Sequence, residues 1–200
     1  MGISAKDFER MQSRLKGARS GLKAEPAHAL NLRSNQVILG IDPSLRGTGY
    51  GVVKIEGKSA TCLAHGTIEC DSDWEHSRCL LFITRELRKV IEEHCPTVCA
   101  IEGLFFAHNL KTALVMGQAR GAAMVSAAEG GLQIFEMAPR KVKQTIVGFG
   151  GAQKLAVAKM VQRMLNLAEL PAPDAADALA LALAHSQSNA MNGFLKRQPI

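Results

Sequence analysis

Four carboxylates stand where a solvated surface does not explain them. Asp42 closes the apolar run Val37-Ile38-Leu39-Gly40-Ile41, and Glu102 closes Val98-Cys99-Ala100-Ile101. Short apolar runs bounded by turn formers read as strands buried on both faces, and open α/β sheets bind ligands at the carboxyl ends of such strands. Asp174 and Asp177, three apart, share one face of a helix that continues as Leu179-Ala180-Leu181-Ala182-Leu183 and so packs against a core. If the four converge, like charges within ~4–6 Å raise one another's pKa and oppose folding. No side-chain cation stands at an obvious spacing to neutralise them, and a bound divalent cation would remove that cost. Oxygen donors without His or Cys favour Mg²⁺ or Mn²⁺ over zinc. Plainer readings exist for two of the acids: Asp42 before Pro43 as a turn former, and Asp174 after Pro173 as a helix cap with Asp177 in the favourable first turn. Glu102, between Ile101 and Gly103 at a buried strand end, has no capping role.

The elements that position these acids can be read along the chain. Strands are expected at 37–41, at Gly47 to Ile55 and at Ala60 to Ile68, the last two joined tightly through Glu56-Gly57-Lys58. A helix from Trp74 to Glu93 ends before Pro96, and a strand follows at 98–101. Next come a helix from about Leu110 to Ala128, a strand from Leu132 to Glu136, and a short helix from Arg140 to Val147. A Gly-rich turn at 148–151, a helix from Lys154 to Leu167, and a last helix from Asp174 to about Ser186 complete the order. A meander followed by alternating helices and strands predicts an α/β domain: a five-stranded mixed sheet with helices on both faces. The expected boundaries are a basic extension over 1–36, the domain over 37–187 and a tail over 188–200.

With 200 residues, 47% of them apolar, and a mean hydropathy of +0.04, the chain holds one globular domain with extensions and no multidomain machine. Its net charge is +6, and the first 35 residues carry seven of the 24 Lys and Arg against three of the 18 acids. In that leader Phe8, Met11, Leu15, Ala18 and Leu22 recur at helical spacing among basic residues, which fits a tail, a helix touching nucleic acid or a partner, or a presequence; Asp7 and Glu9 weigh against the last. Five cysteines with no CxxC pair indicate neither a disulfide framework nor a zinc knuckle, as in a reducing cytoplasm. The longest apolar run, near Ala175 to Ala184, contains Asp177 and is far short of the ~20 residues that span a bilayer.

Five motifs in register carry a family resemblance: Gly40-Ile41-Asp42-Pro43 with Thr48-Gly49-Tyr50-Gly51; Ala100-Ile101-Glu102; Gly117-Gln118-Ala119-Arg120-Gly121; Val142-Lys143-Gln144-Thr145; and Asp174-Ala175-Ala176-Asp177-Ala178-Leu179-Ala180. Together they closely resemble the RuvC-type Holliday junction resolvases over roughly Val37 to His185. The resemblance implies an RNase H-like fold, a homodimer, and Mg²⁺-dependent nicking of two strands of like polarity at a four-way DNA junction. By position it makes Asp42, Glu102, Asp174 and Asp177 the catalytic, metal-binding acids, for two Mg²⁺ per site with Mn²⁺ able to substitute. Two metals ~4 Å apart can activate water and stabilise the leaving oxygen of an in-line displacement, which requires several carboxylates and no covalent nucleophile. Lys143 and Lys154 match the family's lysines near the site, placed to hold the scissile phosphate. The resemblance also implies that Phe105 meets unstacked bases near the crossover, with Phe106 beside it; covering the end of the sheet is the plainer role for the pair. Lys111, Arg120, Arg140 and Lys141 are candidates for sequence-independent phosphate attraction.

The helix from Leu110 to Ala128 is apolar nearly all round, so a face left over from the sheet requires cover, by other helices of its own chain or by a second subunit. In the family this helix contributes to the dimer interface. The family's branch-migration complex, RuvA with RuvB, is the implied working partner. Ser44 and Gly47 depart from the family, where glycine and a β-branched residue are usual, and His108 replaces a basic or polar loop residue. A ribonuclease H, an exonuclease or a sugar-kinase-like ATPase are the rival enzymes, but the ATPase requires a second domain and a second phosphate turn. A silent junction-binding dimer is opposed by the presence of all four acids, since negative charge beside phosphates hinders binding alone.

Overall fold

The computed structural model describes residues 35–103, 109–191 and 199–200. The basic leader, the Phe105-Phe106 pair with His108, and most of the C-terminal tail lie outside them. β1 (Gln36–Asp42), β2 (Gly47–Glu56) and β3 (Ser59–Glu69) form an antiparallel meander. β4 (Val98–Glu102) and β5 (Gln133–Met137) then add in parallel beside β1, giving the strand order β3-β2-β1-β4-β5. The helices are α1 (His76–His94), α2 (Leu110–Glu129), α3 (Pro139–Val147), α4 (Lys154–Met164) and α5 (Pro173–Met191). This is the five-stranded mixed sheet with helices on both faces that the sequence predicts.

Successive strand side chains point to opposite faces, and the two cores follow that alternation. Leu39, Ile41, Cys99 and Ile101 pack with Ile83 and Leu87 of α1 and Ala119 and Ala123 of α2. Ile38, Val98 and Ala100 pack with Val142 of α3, Val157 of α4, and Leu179 and Leu183 of α5. Counting on by two places Asp42 and Glu102 on the α3–α4–α5 face. There α5 lies almost on the sheet backbone: a Cβ at Gly40 would sit 1.9 Å from the Ala178 carbonyl oxygen, and one at Gly49 2.1 Å from that of Asp174. Glycine is needed at both positions for want of space, and the contact fixes the height at which α5 presents its acids.

Several ends differ from expectation, each through an interaction that periodicity does not carry. Trp74 lies before α1, where its carbonyl accepts from Arg46, so the helix starts at His76. α4 stops at Met164 because Asn166 takes a left-handed φ of 50° and Leu167 N–H turns back to the Gln162 carbonyl. α5 runs on to Met191, past Ser186. Ile200 N–H donates to the Ile134 carbonyl on β5 at 3.0 Å. Among the described residues no helix is long and apolar enough to cross a membrane.

Candidate active site

Parallel pairing of Ile41 with Ile101 sets Asp42 and Glu102 side by side at the carboxyl ends of the two central strands. Asp42 shares a hydrogen bond with Glu102, and its carboxyl is pushed up to about 8. Burial is the largest cause, followed by the charge and hydrogen bond of Glu102 and then the charge of Asp177; Lys154 opposes them. Asp177 reaches the pair from α5, and Lys154 Nζ donates to Asp177 Oδ2 at 2.6 Å from the start of α4. That bond, with the charges of Asp177, Asp42 and Asp174, holds the Lys154 ammonium above its ordinary pKa against partial burial. These groups line a cleft of about 200 Å³ that also takes in Lys143 and the apolar walls Val142, Val157 and Leu181.

Asp42, Glu102 and Asp177 line the cleft, and Asp174 stands one turn earlier on α5, over β2, where its Oδ2 would be 3.1 Å from a Cβ at Gly47 and its charge still acts on Lys154. It occupies the first helical turn after Pro173 and not the cap position, because the helix already begins at Pro173. The acids also have a cation after all. Lys154 reaches Asp177 because α4 packs against α5, a tertiary contact invisible in sequence spacing.

Among the described residues no three acid, His or Cys side chains are gathered tightly enough to enclose an ion as they lie. Asp42 is pushed up by burial and by Glu102, and the Lys154 ammonium pairs with Asp177. The donor chemistry still fits a hard divalent cation: clustered, half-buried carboxylate oxygens whose mutual repulsion is relieved by added positive charge.

Arg120 does not face outward as a phosphate-attracting residue would. Its side chain is 15% exposed, its guanidinium pairs with Glu136, and its Nε donates to the Glu102 carbonyl at 3.3 Å. Burial of α2 against the sheet turns it inward, and nothing in the sequence signals its hold on Glu102. Lys111, Arg140 and Lys141 are exposed. Phe105 and Phe106 lie outside the described residues. The turn after β1 closes despite Ser44: Ser44 N–H donates to Thr48 Oγ1 at 3.3 Å, and that hydroxyl donates to the Ser44 carbonyl at 2.6 Å.

Known proteins match this geometry along most of the chain. The family model for crossover junction endodeoxyribonuclease RuvC matches residues 38–185. The crossover junction endodeoxyribonuclease RuvC of Ruminiclostridium cellulolyticum is 45% identical over 160 residues, covering 80% of this chain and 96% of its own. The solved structure of T. thermophilus RuvC in complex with Holliday junction substrate superposes with a TM-score of 0.76 at 33% identity, over 82% of this chain and 99% of that one. The yeast mitochondrial Holliday junction resolvase Ydc2 superposes at 0.55 with 13% identity, over 80% and 82%, a likeness of fold alone.

Proposed function

This chain belongs to the RuvC family of crossover junction endodeoxyribonucleases, and from that membership we propose that it resolves four-way (Holliday) DNA junctions by metal-dependent hydrolysis at the Asp42–Glu102–Asp177 cleft. The observation that carries the mechanism is the half-buried Asp42–Glu102 pair, set side by side at the strand ends with Asp42 pushed up to about 8, beside Asp177 and two lysines. Such a pair is stable as two carboxylates only with a cation between them. Asp42, Glu102 and Asp177, with Asp174 one turn away, would hold two Mg²⁺, or Mn²⁺ in their place. A metal bound there supplies Lewis acidity toward the phosphoryl oxygens and a nucleophilic water at neutral pH.

The chain's own groups do the rest. The apolar walls Val142, Val157 and Leu181 thin out water around the acids, which strengthens every charge interaction in the cleft. Lys143 lines the same wall and offers its ammonium to the scissile phosphate. Lys154, on a side chain 65% exposed, is anchored by Asp177 within reach of the phosphate's developing charge. Phe105 and Phe106 are proposed to meet the bases at the crossover, and Lys111, Arg140 and Lys141 to attract backbone phosphates.

Two copies acting together suit a junction of two-fold symmetry, and α2 supports that reading. Leu110, Leu114 and Val125 form one stripe along its outer side, at 76%, 60% and 52% exposure, with Gly117 and Gly121 between them. A second copy laid on this stripe buries it. The proposed setting is recombination and DNA repair in the cytoplasm, beside the RuvA–RuvB branch-migration complex. The test is a nicking assay on a synthetic four-way junction, a linear duplex and an RNA–DNA hybrid, with Mg²⁺ or EDTA, comparing the wild type with Asp42→Asn. Paired nicks confined to the junction, absent in EDTA and reduced by more than about a hundredfold in the variant, are expected. Cutting of the hybrid instead would sink the substrate assignment.

A further inference from the structure

The loop between α3 and α4, two helices that line the cleft, presents an aromatic ring to solvent, and its sequence is shaped to do so. α3 ends at Gly148, whose φ of 80° is the left-handed conformation that closes a helix, with its N–H donating to the Gln144 carbonyl at 2.9 Å. The chain then reverses at once: Ala152 N–H donates to the Phe149 carbonyl at 3.2 Å, and α4 begins two residues later at Lys154. This short loop therefore joins the two helices that bring Lys143 and Lys154 to the acids. At its tip Phe149 is 68% exposed.

Gly150 and Gly151 do not take positive φ, so space and not backbone conformation accounts for them. A Cβ at Gly151 would lie 2.8 Å from Cζ of the Phe149 ring, and one at Gly150 would lie 2.7 Å from Cγ of Arg140. Gly151 leaves room for the ring, and Gly150 for the arginine stem. A bare phenyl ring in water is unfavourable, and the two helices this loop joins carry cations: Arg140 and Lys141 are exposed on α3, Lys143 lines the cleft, and Lys154 opens α4. A flat apolar face among positive charges fits a polyanion that itself carries flat apolar faces, which is the chemistry of an unpaired nucleic-acid strand.

We propose that Phe149 is a stacking platform for one nucleobase of the DNA strand that enters the cleft, with Arg140 on an adjoining phosphate. The assignment rests on the nuclease reading above and adds a contact from the α3–α4 loop. Stacking holds the base, and the base holds its phosphate in register with Lys143.

The test measures junction binding in EDTA, where no strand is cut, by fluorescence anisotropy with the wild type, Phe149→Ala, Phe149→Leu and Phe149→Trp, and nicking in Mg²⁺ with the same set. Removing one stacked base contact weakens binding by about fivefold to a hundredfold. Phe149→Ala and Phe149→Leu are expected to show that loss and Phe149→Trp to restore binding, with melting temperatures unchanged because the ring is exposed. A junction series with one abasic nucleotide moved through the positions flanking the nick is expected to weaken the wild type at one position and leave Phe149→Ala indifferent there. Phe149→Ala binding and cutting like the wild type overturns the proposal. So does Phe149→Leu matching the wild type, which would mean apolar area without stacking, or a loss of self-association in Phe149→Ala, which would make a second copy the occupant. A wild type that neither binds nor cuts a junction defeats the nuclease reading itself, a result distinct from all of these.

Discussion

A carboxyl held near 8 by burial and by its glutamate neighbour keeps its proton across most of the range in which an ordinary aspartate has lost it. In the unfolded chain Asp42 ionises near 3.8, so between that value and about 8 the folded state binds the additional proton. The metal-free fold is thus favoured most at low pH by this group, and that contribution is lost as pH rises from about 4 toward 8. In EDTA the melting temperature should fall as pH is raised from 5 to 8.5. Asp42→Asn, neutral throughout and still able to donate to Glu102, should flatten the fall and melt higher at pH 8; an unchanged slope would refute the shared proton. Mg²⁺ takes the ionised form, so it should stabilise the wild type more at pH 8 than at pH 6. Arg120 acts on the same pair from behind. Its Nε bond to the Glu102 carbonyl and its ion pair with Glu136, the residue paired with Ile101 on the adjoining strand, clamp the end of β4. Arg120→Ala should slow single-turnover nicking by about tenfold while junction affinity and its salt dependence stay near wild type, and Arg120→Lys should rescue little for lack of a planar fork. A salt slope reduced by about one would instead mark a direct phosphate contact.

Between residue and site stands α5, which brings two of the acids to the sheet by lying on its backbone. The glycines that permit this lie in the β1–β2 pairing: Gly40 faces Gly51, and Gly49 stands opposite the acid Asp42. Gly40→Ala would drive a methyl group to 1.9 Å from the Ala178 carbonyl oxygen, so α5 must lift. Overpacking of this kind costs about 1–3 kcal/mol. The expected outcome is a lower urea midpoint with an unchanged slope, together with a loss of nicking larger than the stability loss explains, because Asp177 moves away from Asp42. Full activity in a destabilised variant would separate α5 placement from catalysis. This is also where the limits of sequence reading lie. Buried strands announced themselves as unbroken apolar runs, and Glu102 stood out because no local role suits a glutamate after Ile101. Helix ends were less legible, since Asn166 and the carbonyl of Trp74 are set by contacts made across the fold. The Lys154–Asp177 bond, the inward turn of Arg120 and the setting of Asp174 over Gly47 all depend on which helices pack together, and spacing along one helix does not encode that.

At the scale of the whole molecule the unresolved demand is the outer side of α2. Ala119, Ala123 and Ala127 bury one side against the sheet, while Leu110, Leu114 and Val125 leave the other apolar and open. Its inner flank carries the Arg120 clamp on Glu102, so one helix serves both the cleft proposed to be catalytic and the surface proposed to receive a second copy. Leu114→Glu sets a charge in the middle of that stripe without touching either core. The expected result is a monomer by light scattering at micromolar concentration, with a melting temperature that no longer depends on protein concentration. Because the cleft is intact in each copy, such a monomer should still nick a junction, but at one strand per encounter, so that the two nicks become independent events. Supercoiled cruciform DNA reports this directly: coupled nicks release a linear product within one binding event, whereas independent ones accumulate a relaxed circle first. A Leu114→Glu protein that stays dimeric and releases linear product as the wild type does would place the interface elsewhere and return the α2 stripe to the role of an exposed helix face.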